Sequence, residues 1–142
     1  MAKMVKVGMA DLNICHSPDA ITTLGLGSCV GVALYDKNTK TAGLVHVMLP
    51  DSTKVRQNQN RAKFADTGID YLIELLEKEG AKKSSLTAKI AGGAQMFAFS
   101  SSNDMLRVGE RNVEAVKDKL KKLGIRILAE DTGLNYGRTV EF

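Results

Sequence analysis

The sequence has no tryptophan, two prolines, two cysteines and two histidines in 142 residues. Each scarcity removes a class of function. Four Phe and three Tyr are too few for a base-stacking platform, and no nucleic-acid-binding motif is present. The Cys and His residues lack the clustered spacing of a zinc site, so neither metal nor cofactor is expected. Cys15 and Cys29 form at most one disulfide, and a reducing compartment favours two free thiols. No apolar run approaches the ~20 residues that cross a bilayer. Lys3 and Lys6 interrupt the stretch where a signal peptide would need an apolar core. A soluble, cytoplasmic protein without membrane insertion is the expectation. With prolines only at 18 and 50 and no linker composition, residues 1–142 are expected to form one domain.

What remains is globular in composition, 44% hydrophobic and 25% charged, with a formal charge of +4. Part of that excess lies in "TKVRQNQNRAK", where Lys54, Arg56, Arg61 and Lys63 occur without an acid. Such a segment reads as a solvated loop, with docking of an anionic partner as the second reading.

Alternating and β-branched runs predict a first strand over Val5 to Ile14, a turn at "HSPDA" and a strand at Ile21 to Leu24. "CVGVALYD" and "AGLVHVMLP" around the polar "KNTK" predict a β-hairpin, ended by Pro50. Ala65, Ile69, Leu72, Ile73 and Leu76 fall at helical spacing before Gly80. "SLTAKIAGG" reads as a buried strand. Val113, Val116, Leu120 and Leu123 form a second helical stripe ending at Gly124. "IRILAED" and "GRTVEF" read as closing strands. Runs of strands with two interposed helices predict an α+β layered fold rather than a βαβ repeat.

One hairpin carries the chemistry. In "TTLGLGSCVGVALYD" a Gly-rich turn leads into Cys29, and His46 lies on the return strand. Two registers put them on one face, directly opposite or diagonal, with Cβ atoms roughly 4.5–8 Å apart. The intermediate register would separate them. An imidazole beside a thiol takes its proton, creating a nucleophile, and can return that proton to a leaving amine. Backbone amides at Gly27, Ser28 and Cys29 are candidates for holding an oxyanion after the bend at Gly25 and Gly27. Thr23, by hydroxyl or carbonyl, is the nearest group to orient the imidazole. The plainer reading makes Cys29 and His46 core residues. The other pair, Cys15 and His16, is adjacent in an extended chain and should point to opposite faces.

"TLGLGSCVGVALYD" with "GLVHVMLP" resembles the chemoreceptor glutamine deamidase family, CheD, of bacterial and archaeal chemotaxis. The likeness continues through "KFADTGI", "KIAGGAQMF", "VGERN" and "GRTVEF"; in "EDTGLNYGR", Leu134 stands where a second glycine is expected. The resemblance implies Cys29 as nucleophile, His46 as base and Thr23 as its orienting partner. It implies hydrolysis of glutamine side-chain amides on methyl-accepting chemotaxis receptors, with receptor methylesterase activity as a compatible side reaction. It also implies a layered α/β sandwich similar to the catalytic domain of necrotizing-factor toxins, and a CheC-type phosphatase as partner.

Two motifs stand apart from this pair. Met96, Phe97 and Phe99 of "GGAQMFAF" read as a loop tucked into the core, or as a surface docking receptor or phosphatase helices. "GERN" reads as a helix start with Asn112 as cap, and a part in holding the site is its second reading. The functional alternative is a non-catalytic adaptor that binds chemoreceptors and the phosphatase.

Overall fold

The computed structural model describes residues 3–52, 60–94, 108–133 and 138–142. Met96, Phe97, Phe99 and Leu134, together with Lys54 and Arg56, lie outside them. In chain order the elements are β1 (Met4–Val7), β2 (Leu12–His16), β3 (Ala20–Leu26), β4 (Val30–Asp36), β5 (Thr41–Val47), α1 (Ala65–Lys78), β6 (Leu86–Gly92), α2 (Val108–Leu123), β7 (Arg126–Thr132) and β8 (Arg138–Glu141).

Among the described residues the strands form two sheets, β1-β3-β8 and β2-β5-β4-β6-β7. The five-stranded sheet is the middle layer. On one face Val30, Val32, Leu34, Val45 and Val47 pack on Ile69, Leu72 and Leu76 of α1 and on Val116 and Leu120 of α2. On the other face Ala33, Ala42 and Leu44 meet Val7 and Ile21 of the smaller sheet, with Cys15 among them. Both faces being covered explains why "CVGVALYD" and "AGLVHV" read as continuous apolar runs rather than as alternation. The fold is the expected α+β arrangement with mixed sheets and two flanking helices.

Several expectations are corrected in detail. The run from Val5 to Ile14 is two strands: β1 pairs with β3 in the small sheet and β2 with β5 in the large one. The chain changes layer through Gly8–Asp11, where Ala10 has φ 54°. The apolar alternation slips phase here, from Val5, Val7 and Met9 to Leu12 and Ile14, a break that the single-strand expectation passes over. β5 ends at Val47, three residues before Pro50; beyond it Met48 and Leu49 donate to the carbonyl of Lys63, just ahead of α1. α2 begins at Val108, so Asn112 lies inside the helix and is not its cap. Of the basic segment, Arg61 donates to Glu74 and stacks over Tyr71.

The β4–β5 hairpin turns over Asp36–Thr41, where Asp36 accepts from the Asn38 amide and the Thr39 hydroxyl. Its ladder pairs Gly31 with His46 and Val30 with Val47. This is the second of the two expected registers, the one that, continued one step beyond the ladder, sets Cys29 diagonal to His46. β6, α2 and β7 make a parallel crossover in the large sheet. Its switch from strand to helix begins at Gly92 and Gly93, beside the start of β4.

Candidate active site

Cys29 stands one residue ahead of β4, and the bend that delivers it begins at Gly25. There φ is +70°, and the pairing of β3 with β8 shifts register between Thr23 and Leu26. A positive φ suits glycine because it has no Cβ to collide with the carbonyl. His46 points from β5 into the space between the sheets, opposite Gly31. A Cβ at Gly31 would meet the Leu26 side chain at 3.2 Å and that of Thr23 at 3.6 Å. Glycine here lets the small sheet close over the imidazole.

That closure brings Thr23 of β3 to His46. The Thr23 hydroxyl lies 2.8 Å from the Val7 carbonyl oxygen and 2.8 Å from His46 Nδ1. A carbonyl only accepts, so the single hydroxyl proton goes to Val7, and the hydroxyl oxygen accepts from Nδ1–H. The proton of the neutral ring is therefore on Nδ1. Nε2 carries the lone pair, and it is buried with no hydrogen-bond partner among the described residues. A base held in one tautomer with its acceptor nitrogen unoccupied is what proton removal from a thiol requires.

Relative exposures of 1% for Thr23, 0% for His46 and 8% for Cys29 set the electrostatics. Burial pushes the Cys29 thiol above its ordinary pKa, and its own backbone amide works in the opposite direction. Burial also holds His46 below the usual imidazole value. Both directions favour the uncharged forms, a thiol at Cys29 and a neutral imidazole at His46. Alkylation of Cys29 by iodoacetamide, read by site-resolved mass spectrometry, should rise with pH to a midpoint above the ~8.5 of a free cysteine. A midpoint near 6 would instead reveal a preformed thiolate–imidazolium pair.

The turn ahead of Cys29 is pinned carbonyl by carbonyl. Gly27 O accepts from Ala94 N at 2.8 Å, and Cys29 O accepts from Gly93 N at 2.8 Å. Ser28 O accepts from Asn112 Nδ2 at 2.9 Å, and the same nitrogen donates to Met48 O at 2.9 Å. Of the amides expected to hold an oxyanion, Gly27 N already donates to Gly25 O at 3.0 Å, leaving those of Ser28 and Cys29 as the candidates. Gly92, Gly93 and Gly109 allow this approach. A Cβ at Gly92 would lie 2.2 Å from Cys29 O, and one at Gly109 would lie 2.4 Å from Ala94 O. The glycines of "IAGG" and "VGERN" announce close packing, but nothing in the sequence tells what they pack against.

Cys15 and His16 do separate as alternation requires. Cys15 is buried between the sheets, while His16 faces solvent, its Nε2 2.8 Å from Glu79. Both cysteines are free. Among the described residues no cluster of three or more His, Cys, Asp and Glu side chains could hold a metal ion. None of the described helices is long and apolar enough to cross a membrane.

Thr23 and His46 form a hydrogen-bonded pair across two layers of the sandwich, with the buried Cys29 just ahead of the neighbouring strand; thiol, imidazole and hydroxyl are the groups that cysteine hydrolases use. A family model described as "CheD chemotactic sensory transduction" matches residues 48–142. Relatives match over the remainder as well. The Lachnoclostridium phytofermentans protein named "Probable chemoreceptor glutamine deamidase CheD" is 72% identical over 142 residues, 100% of this chain and 88% of its own. "Chemoreceptor glutamine deamidase CheD" of Halalkalibacterium halodurans is 61% identical, covering 100% of this chain and 88% of its own. The Bacillus subtilis protein of that name is 54% identical, covering 99% and 86%. This chain belongs to the CheD family. A solved structure, the Bacillus licheniformis hypothetical protein YfiH, is similar in fold, with a TM-score of 0.54 at 16% identity. The similarity covers 88% of this chain and 51% of the YfiH chain.

Proposed function

We propose that this protein is a chemoreceptor glutamine deamidase, with Cys29 as nucleophile, His46 as general acid–base and Thr23 as the residue that orients it. The observation that carries the reading is the unoccupied Nε2 of His46, fixed as a lone pair by the Thr23–Val7 hydrogen bonds, on the strand that pairs with the one Cys29 leads into. His46 Nε2 takes the thiol proton as the Cys29 sulfur bonds to the carbon of a glutamine side-chain amide. The amides of Ser28 and Cys29 receive the oxyanion. Imidazolium then gives its proton to the departing nitrogen, the C–N bond breaks, and ammonia leaves a thioester. His46 next removes a proton from water, whose oxygen attacks the thioester, and glutamate is released as the thiol regains its proton.

The substrate in this reading is a methyl-accepting chemotaxis receptor, in keeping with the names its relatives bear. A receptor methyl ester would pass through the same thioester. A CheC-type phosphatase as partner and a cytoplasmic location belong to the same proposal, supported by family membership. Residues 1–142 as one domain also belong to it, supported by a relative that matches over 100% of this chain.

Incubation with a cognate receptor fragment should convert selected glutamines to glutamate, seen by peptide mass spectrometry, while free glutamine is left unchanged. Turnover of free glutamine without receptor conversion would replace this reading with a small-molecule amidase. Thr23→Val removes the hydroxyl at nearly constant shape and leaves Nδ1–H without its acceptor. We expect kcat on the receptor fragment to fall roughly 10²–10³-fold, because the imidazole loses its fixed tautomer. Thr23→Ser, which keeps the hydroxyl, should retain most activity.

A further inference from the structure

Asn112 breaks the pattern of the helix that carries it. With Val116 and Leu120 it forms the fully buried stripe of α2, where a leucine would suit the packing. Its Oδ1 is buried and has no hydrogen-bond partner among the described residues. A buried amide with one unmet acceptor costs about 1–3 kcal/mol relative to a satisfied one. That cost is set against two donated hydrogen bonds, which direct attention to what the asparagine holds.

Those protons go to Ser28 O and Met48 O, each 2.9 Å away. Val30 and Val47 are the last pair of the β4–β5 ladder. Cys29 and Met48 lie one step beyond it, where the two strands are free to splay. Asn112 closes that open end from a third element. The three peptide groups around Cys29 are each anchored by a carbonyl, but in different ways. Backbone amides hold the outer two, Gly27 O by Ala94 and Cys29 O by Gly93. The middle carbonyl, Ser28 O, is held by the Asn112 side chain.

In a trans peptide the N–H points opposite to the C=O of the same planar group. The plane that contains Ser28 C=O also contains Cys29 N–H. Anchoring one aims the other. We infer that Asn112 is a positioning residue for the reaction: it aims the Cys29 amide at the developing oxyanion and fixes that amide relative to the strand bearing His46. The inference rests on the reading of Cys29 as nucleophile. The Cys29 amide also favours the thiolate of its own residue, so the same plane serves the sulfur before attack and the oxygen after it.

Asn112→Leu in the full chain tests this directly. The aliphatic side chain fits the stripe, but it leaves both carbonyls unheld. Displacement of a reacting group by about 1 Å can cost a hundredfold in rate. We expect kcat on the receptor fragment to fall by about that factor with KM unchanged, and the alkylation midpoint of Cys29 to move further up. Asn112→Ser, which can hold at most one of the two carbonyls, should lose roughly tenfold. It serves also if the leucine variant does not fold. Wild-type kcat in either folded variant overturns the inference. So does a fall in kcat that only follows the folded fraction and leaves the alkylation midpoint in place, which marks a structural role. An active Cys29→Ala protein would overturn the reading of Cys29 as nucleophile, a result separate from both.

Discussion

Cys29→Ala should fold as the parent does and convert no receptor glutamine. The substitution removes one sulfur from a residue only 8% exposed, leaving small apolar bulk in place, and its cost in stability should be about 1 kcal/mol. The chemistry has no substitute for that atom. Without it there is no covalent intermediate, and the rate should fall at least roughly 10⁴-fold, as when other enzymes lose a nucleophile. Cys29→Ser should fare little better, because burial that already raises a thiol would leave the less acidic hydroxyl fully protonated. An adaptor that acts by binding chemoreceptors and phosphatase would keep its cellular effect in both variants. Receptor mass spectra and a chemotaxis assay on the same strains separate the two cases. An alanine variant with full glutamine conversion would remove Cys29 from the mechanism.

Gly92→Ala should produce the largest loss of stability of any single methyl added to this turn. Two effects coincide there. Gly92 has φ +106°, which costs a non-glycine residue roughly 1–2 kcal/mol. The new Cβ would also stand 2.2 Å from Cys29 O, a backbone atom tied to Gly93 N, and overpacking of this kind adds typically about 1–3 kcal/mol. The sum is about 2–5 kcal/mol, or on the order of 10 °C in Tm for a chain of this length. Gly25→Ala is the control. It shares the positive φ, at +70°, but a Cβ there would have nothing within 4 Å, so only about 1–2 kcal/mol should be lost. Equal effects at the two positions would contradict the close approach of β6 to the nucleophile's carbonyl. Activity of any folded Gly92→Ala protein should also drop, because Cys29 O would have to move.

The hairpin that carries His46 behind Cys29, both helices and the layered α+β class are all legible in the sequence. Each of these depends on local periodicity or on residues linked by one tight turn. The hairpin register stays open between two solutions, because turns differing by two residues preserve which side chains share a face. The split of the first strand shows only as a phase slip, from Val5 and Val7 to Leu12 and Ile14, which does not tell that the two halves join different sheets. Asn112 misleads for a related reason. An Asn before an apolar stripe looks like a cap, and only the packing of α2 on the ends of β4 and β5 turns it inward. The glycines of "IAGG" and "VGERN" are visible as a signal, but their meaning is a contact between segments distant in sequence.

Placing the site between two sheets has a cost. Thr23 belongs to the three-stranded sheet and His46 to the five-stranded one, so a 2.8 Å bond spans the seam between layers. The spacing of that seam is set by Val7, Ile21, Ala33 and Leu44. Enlarging or shrinking any of the four would stretch this one bond before it unfolded the chain. The core between the sheets is therefore less free to vary in volume than the core beneath the helices, and turnover would report its repacking sooner than a melting curve.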